Sequence, residues 1–243
     1  MRMLTFAKRC TKEILRDPLN MIFGLGFPIV ILLLLTAIQK NIPVDLFKLE
    51  NLTPGITIFG LSFMTLFSAT LIAKDRETAF IQRLYTTPLK ASDYILGYML
   101  PLIPLSILQT IICYIVAIII GLEVSINLIY AILMIIPISI FYILLGLLCG
   151  TIFNVKQVGG ICGALLTNIS AWLSGIWFDL NLIGSSFKFI AEILPFYHYV
   201  EIEKALFNAN FELVIDHIYP VIIYMTILLI FSIIIFLKKM KKQ

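Results

Sequence analysis

The chain has 243 residues, of which 60% are apolar and only 13% are charged, and its mean hydropathy is +1.03. A soluble domain carries roughly 25% charged residues, so this composition excludes an ordinary soluble enzyme and is typical of a polytopic membrane protein. The net charge of +4 does not indicate a nucleic-acid partner, because the basic residues are distributed as membrane topology requires.

The N-terminal segment carries five basic residues and no apolar core, unlike a cleavable signal peptide. Residues 3–15 place Leu4, Ala7 and Ile14 near one helical face, with basic side chains largely opposite. This pattern predicts an amphipathic helix in the membrane interface, ended at Pro18. A frayed basic tail is the alternative.

Six apolar runs are each long enough to cross the roughly 30 Å of hydrocarbon, which takes about 20 helical residues. They cover residues 19–38, 54–73, 94–120, 128–151, 158–178 and 218–237. Because these runs occupy most of the chain, residues 1–243 are predicted to form a single all-α transmembrane domain of six helices.

The distribution of basic residues orients these predicted spans. If the N-terminus is cytoplasmic, the inner segments hold 14 Lys and Arg residues and the outer segments hold four. This excess predicts that both termini are cytoplasmic, since basic residues favour the inner side.

Prolines and glycines mark special positions within the spans. Pro101 and Pro104 predict a kink near the start of the third span. Gly146 and Gly150, and likewise Gly159 and Gly163, have the spacing that allows close approach of helices in lipid. We interpret these pairs as packing positions and not as a defined dimer motif.

The segment before the last span is too long for a simple turn. It contains apolar pieces at 187–194 and 200–207, too short to span and separated at Pro195. These pieces predict short interfacial or re-entrant helices. Six acidic residues are expected to keep the segment outside and hydrated: Asp179, Glu192, Glu201, Glu203, Glu212 and Asp216.

The chain lacks the residue patterns of several function classes. No ionisable residue lies well inside a predicted span, which disfavours an ion-coupled carrier. There is no Gly-x-x-x-x-Gly-Lys-Ser/Thr loop for ATP. The two histidines, His198 and His217, have no ligand-spaced partners, so no metal site is expected. The four cysteines form no disulfide framework. We therefore expect no enzyme activity on this chain.

The one substantial polar insertion between apolar runs is residues 74–93, KDRETAFIQRLYTTPLKASD. Asp75 is predicted to cap a short amphipathic helix, and Pro88 is predicted to end it. The insertion mixes acidic and basic residues, which suits a protein partner with charges of its own. An ordinary amphipathic loop is the alternative.

The order Asp75-Arg76-Glu77, then Arg83-Leu84 and Thr87-Pro88, resembles the signature of the permease subunits of type-2 ABC exporters. Ala79 stands where the family usually has Gly, and Gln82 where it commonly has an acidic residue. The resemblance implies a coupling helix seated on a separate ATPase subunit. The residues that it implies in ATPase coupling are Asp75, Arg76, Glu77, Phe80, Ile81, Arg83, Leu84 and Pro88.

The same resemblance implies an assembly. Two permeases, identical or related, would pair and work with two copies of the ATPase, which would bind ATP and magnesium. No cofactor is expected on this chain. A central path is implied between the second and fifth spans of the pair, and its candidate residues are Phe59, Phe63, Phe67, Asn168 and Trp172. Packing within the bundle or contact with lipid is the alternative for each.

The leading hypothesis is therefore the permease of an ATP-driven exporter in a bacterial plasma membrane. Its apolar, aromatic-rich spans suggest an amphiphilic cargo, such as a drug, an antimicrobial peptide or a lipid-linked molecule, moved out of the cytoplasm or inner leaflet. A non-transporting membrane scaffold or sensor component is the alternative.

Overall fold

The structure is a computed structural model that describes residues 2–41, 47–78, 80 and 91–240. These residues are overwhelmingly helical, and none of them forms a strand, which confirms the predicted all-α membrane fold. The helices are α1 (Arg2–Leu15), α2 (Pro18–Gln39), α3 (Leu49–Glu77), α4 (Ala91–Met99), α5 (Leu102–Ile119), α6 (Asn127–Ile152), α7 (155–173), α8 (Leu180–Ile183), α9 (Ser185–Ile193), α10 (Pro195–Phe207) and α11 (Phe211–Met240).

Within the described ranges, five helical segments are long and apolar enough to cross a membrane. They are Pro18–Gln39, Leu49–Glu77, Ser92–Ile119, Asn127–Ile152 and Phe211–Ile235. These segments correspond to the first four predicted spans and the sixth, so the chain is a multi-pass membrane protein. Helix α7 covers most of the predicted fifth span but carries Lys156, Gln157 and Asn168, and it is not among the five. Six crossings stay a prediction.

Helix α3 lies at the centre of the bundle, and its residues from Leu52 to Ala73 are almost all buried. It packs most extensively on α6, where Gly146 and Gly150 leave room for its backbone. A Cβ atom at either glycine would meet a carbonyl oxygen of α3. This close approach confirms the packing interpretation for Gly146 and Gly150. A Cβ atom at Gly159 would meet nothing within 4 Å, and one at Gly163 would make only an ordinary contact, at 3.4 Å, with Leu66 of α3.

Two hydroxyl groups of α3 use the same close approach. Thr65 donates to the carbonyl of Tyr142 at 2.9 Å, and Ser68 donates to the carbonyl of Ile143 at 2.9 Å. Interhelical hydrogen bonds of this kind are favourable in lipid, where water cannot serve as a competing partner.

The third span is interrupted where the sequence predicts it. Helix α4 ends at Met99 and α5 begins at Leu102, because Pro101 lacks an N–H to continue the ladder.

Helix α1 lies against α4 with a narrow buried face that includes Phe6, Cys10 and Ile14. The Phe6 ring packs edge-on against Tyr98, with ring centroids 4.9 Å apart. Leu4, predicted on the apolar face, is 56% exposed within the chain. The amphipathic helix is thus confirmed, but its buried face is rotated toward Phe6.

The segment before the last span forms the predicted short helices. Leu194 is extended and separates α9 from α10, and Pro195 occupies the first position of α10, where its missing N–H costs nothing. Helix α10 is mostly buried against α3, α6 and α11. Helix α11 begins at Phe211, well before the predicted start of the sixth span.

Candidate functional site

The last turn of α3 joins several helix ends on what the charge distribution predicts to be the cytoplasmic side. Its four consecutive charged residues, Lys74 to Glu77, each contact a different part of the chain. Successive side chains on a helix point about 100° apart, so one charged turn reaches neighbours on all sides. We call this turn and its partners the cytoplasmic clamp.

Asp75 is the buried centre of the clamp, with 1% of its surface exposed. Its two carboxylate oxygens each accept a hydrogen bond from the guanidinium of Arg9 on α1. The hydroxyl of Tyr98 on α4 also donates to Asp75, at 2.8 Å. A two-pronged arginine pair with a third donor is the arrangement that keeps a buried carboxylate charged.

Arg9 has two further contacts. It forms an ion pair with Glu13 at 2.7 Å, and its guanidinium carbon lies 4.0 Å from the centre of the Phe80 ring. Burial alone would lower the pKa of Arg9, but hydrogen bonds and charges from Asp75 and Glu13 raise it above its usual value. Arg9 thus remains cationic. It connects α1 to Asp75 on α3 and to Phe80 just beyond the end of α3.

Arg76 closes the end of α6. Its Nη1 donates to the carbonyl of Gly150 at 2.8 Å and to that of Phe153 at 3.2 Å. The last carbonyls of a helix lack partners within it and carry partial negative charge. A cation at this point therefore satisfies them and holds the end of α6 against α3.

Glu77 binds the start of α7, as Arg76 binds the end of α6. Its Oε1 accepts a hydrogen bond from the amide of Val155 at 2.9 Å. Asn154 caps the same helix start by accepting from the amide of Gln157. A carboxylate is favourable at a helix N-terminus, where unpaired N–H groups carry partial positive charge.

Lys74 reaches the start of α2. Its Nζ lies 3.3 Å from Asp17, whose side chain caps α2 by accepting from the amide of Asn20. Burial opposes the change, but the hydrogen bonds from Asn20 and Lys74 lower the pKa of Asp17. The two side chains are 45% and 29% exposed, so water reaches this contact.

The predicted coupling residues divide into two groups. Asp75, Arg76 and Glu77 lie in the clamp and Phe80 lies beside it, whereas Ile81, Arg83, Leu84 and Pro88 lie outside the described residues. The expectation that Asp75 caps a new helix is wrong, since α3 continues through Glu77. The mixed charges of the insertion were expected to meet a partner protein. Instead, Asp75, Arg76 and Glu77 bind groups within this chain. A role of these residues in ATPase coupling stays a prediction.

The predicted path residues do not share one surface within this chain. Phe59, Phe63 and Phe67 are buried where α3 packs on α2. Asn168 and Trp172 lie on the exposed face of α7. Any path that uses all five would need a rearrangement or a second chain, and the assignment stays a prediction.

Sequence reasoning missed the partners of the clamp. Arg9, Tyr98 and Asp17 are separated from the last turn of α3 by 66, 23 and 57 residues. Arg9 is partly exposed beside the face that α1 buries, whereas the sequence pattern placed the basic residues largely opposite that face. The backbone partners in α6 and α7 have no signal in the sequence, because every residue carries the same groups.

Comparison with known protein families identifies a match that covers most of the chain. A family model described as ABC-2 type transporter matches residues 1–208. No curated protein matches the chain.

Proposed function

The chain belongs to the ABC-2 type transporter family, and from that premise we propose that it is the permease subunit of an ATP-driven exporter. Such a permease needs an ATPase, and the family implies that an ABC ATPase is its partner. We propose that two copies of the ATPase bind on the cytoplasmic side, at the segment that follows Glu77. Both termini of the permease would lie on that side, in a bacterial plasma membrane.

The cytoplasmic clamp is the observation that carries this proposal. A force applied just after Glu77 acts on a helix end that is bonded to α1 through Arg9, to α6 through Arg76 and to α7 through Glu77 itself. Because these bonds leave the same helical turn, the helices would move together. Closure of the ATPase dimer would thereby shift the bundle between two arrangements.

A second permease, identical or related, completes the proposed transporter. Helices α2 and α7 leave large apolar side chains exposed, among them Leu34 and Trp172. Asn168 on α7 is also exposed. The exposed surfaces of α2 and α7 support pairing with a second permease around a central path. The exposed apolar and aromatic surface supports an amphiphilic cargo, such as a drug, an antimicrobial peptide or a lipid-linked molecule.

The test is to produce the permease with a candidate ABC ATPase and measure cargo-stimulated ATP hydrolysis of the complex in lipid nanodiscs. We expect Glu77→Ala to lower the stimulation about fivefold, the size of a weak allosteric coupling, while the complex still assembles. Arg83→Ala, in the segment predicted to dock, should lower it as well.

Glu50→Ala is the matched control, because Glu50 is an exposed glutamate in the first turn of the same helix. It should leave the stimulation unchanged. Wild-type stimulation in both Glu77→Ala and Arg83→Ala would overturn the proposed coupling site. Failure of every candidate ATPase to co-purify would overturn the exporter assignment.

A further inference from the structure

Glu203 is the most unusual ionisable group in the outer half of the bundle. It was expected to be hydrated with the other acidic residues of its segment, but its exposure is 0%. The neighbouring acid Glu201 is partly exposed and forms an ion pair with Lys204 at 2.9 Å. On α10, Glu201 is thus paired and partly exposed, whereas Glu203 points into the bundle and has no ion-pair partner among the described residues.

The carboxyl group of Glu203 has almost no polar support. Its Oε2 receives a long hydrogen bond, 3.4 Å, from the hydroxyl of Tyr114 on α5, and its Oε1 has no partner among the described residues. No described cation pairs with it, since Lys204 is engaged with Glu201. An ionised carboxylate in such a place is very unfavourable, because neither water nor a counter-charge balances it.

The surroundings of Glu203 are polar but uncharged. The hydroxyl of Thr57 on α3 donates to the carbonyl of Pro54 at 2.7 Å. One turn away on each helix, Thr53 and Thr110 are fully buried, and each has a hydroxyl oxygen without a described partner. Gln109 on α5 likewise has an unpaired carbonyl oxygen. None of these groups bonds to Glu203, and none supplies a full positive charge.

The titratable and charged groups on the elements that pack against α10 leave this conclusion unchanged. Helix α3 offers the exposed Glu50 in its first turn and the four clamp residues in its last turn, each of which has the partner described above. Helix α5 offers Cys113 and Tyr114, and α6 offers Tyr142, whose hydroxyl bonds to Ser170. Helix α9 offers Lys188 and Glu192, which pair with each other. Helix α11 offers Glu212, Asp216 and His217. Both acids are exposed, and His217 bonds to His198 on the far side of α10.

A cavity of about 600 Å³ lies beside α10 on the predicted outer side. Glu201, Lys204 and Ala205 of α10 line it, but Glu203 does not. The body of α10 thus separates the buried carboxyl from the cavity.

We propose that Glu203 is a proton-binding site whose carboxylic acid stays protonated while α10 packs on α3 and α5, and releases its proton to the outer aqueous side when α10 moves away. The O–H bond of the acid breaks, the proton passes to water, and a carboxylate remains; return of α10 requires the reverse step. Packing of the outer half is therefore linked to the outer pH. In line with this geometry, burial raises the pKa of Glu203 well above its usual value.

The sign of the pH dependence follows from linkage. Glu203 ionises near pH 4 in the unfolded chain and at a higher pH in the folded chain, so the folded state binds its proton more tightly. The stability from this proton is fully present below the unfolded pKa and is lost as pH rises through the folded pKa. Glutamine has the shape of the protonated acid and cannot ionise. The Glu203→Gln variant should therefore not lose this stability as the pH rises.

The experiment measures thermal unfolding of the purified permease in nanodiscs between pH 5 and pH 9, for wild type, Glu203→Gln and Glu201→Gln. We expect the melting temperature of Glu203→Gln to rise relative to that of wild type between pH 5 and pH 9, by about 3 °C or more. Glu201→Gln is the matched control on the same helix and should keep the wild-type pH dependence. Infrared spectra of wild type at pH 7 should contain a protonated-carboxyl band that is missing from Glu203→Gln.

Equal pH profiles for wild type and Glu203→Gln would overturn the proposal, as would a Glu203→Gln protein that does not fold, since a neutral amide should fit the site. A wild-type profile that shifts with sodium concentration at constant ionic strength would also overturn it, because a metal ion would then occupy the carboxylate. The measurement needs no ATPase, so its outcome is independent of the experiment on Glu77.

Discussion

Among the residues that the structure describes, two carboxyl groups are almost completely buried, and their surroundings are opposite in kind. Asp75, in the cytoplasmic clamp, receives both prongs of the Arg9 guanidinium and the Tyr98 hydroxyl. Glu203, near the outer side, receives one long hydrogen bond from Tyr114. Burial by itself thus does not decide what a carboxyl group does. A paired carboxylate holds helices together by its charge, whereas an unpaired one requires a proton.

The difference also separates two mechanical roles. The clamp joins helix ends through several charged contacts with named partners. The outer site depends on one proton, so the packing of α10 responds to the medium.

The largest effect is expected where the paired carboxylate is removed. Asp75→Ala leaves the Arg9 guanidinium without its main partner, and breaking a buried pair in this way costs 3–5 kcal/mol. Because the Arg9 side chain is 33% exposed, we expect about 3 kcal/mol. Chemical unfolding in detergent measures this loss.

The double variant Arg9→Ala/Asp75→Ala is the control for the Asp75 substitution. If the pair acts as a unit, the double variant loses much less unfolding free energy than the two single variants lose in sum. Additive losses would show that the two residues stabilise the protein separately.

The next effect compares the two tyrosines that donate to the two buried acids. Tyr98→Phe removes a hydrogen bond of 2.8 Å to a charged acceptor, for which we expect a loss of about 2 kcal/mol. Tyr114→Phe removes a contact of 3.4 Å to a neutral acid, and we expect a loss below about 1 kcal/mol at pH 6. Unfolding of the two variants side by side measures the contrast, and equal losses would contradict the distinction between the two acids.

The smallest effect is expected at the edge of the clamp. The Lys74 and Asp17 side chains are 45% and 29% exposed, so water and salt screen their attraction. Lys74→Ala should cost at most about 0.5 kcal/mol, and the difference should shrink further in high salt. A loss comparable to that of Asp75→Ala would mean that the clamp does not depend on burial.

Much of the architecture could be predicted from the amino-acid sequence. Apolar runs predicted five helices that the structure describes as long enough to span, and Pro101 predicted the interruption between α4 and α5. The glycines of α6 were correctly interpreted as packing positions. These features are local, since they depend on length, apolarity and backbone geometry within one segment. The resemblance carried by residues 75–88 also agrees with the family match.

Other features were decided only by the tertiary structure. Asp75 and Glu203 are both acids in segments that look hydrated in the sequence, and nothing nearby along the chain distinguishes them. The first became a buried ion pair because Arg9 comes from a helix 66 residues away. The second became an unpaired acid because α10 turns it toward α3 and α5 and turns Lys204 toward the outer cavity. Charge is a property of the residue, but its partner and its contact with water are properties of the fold.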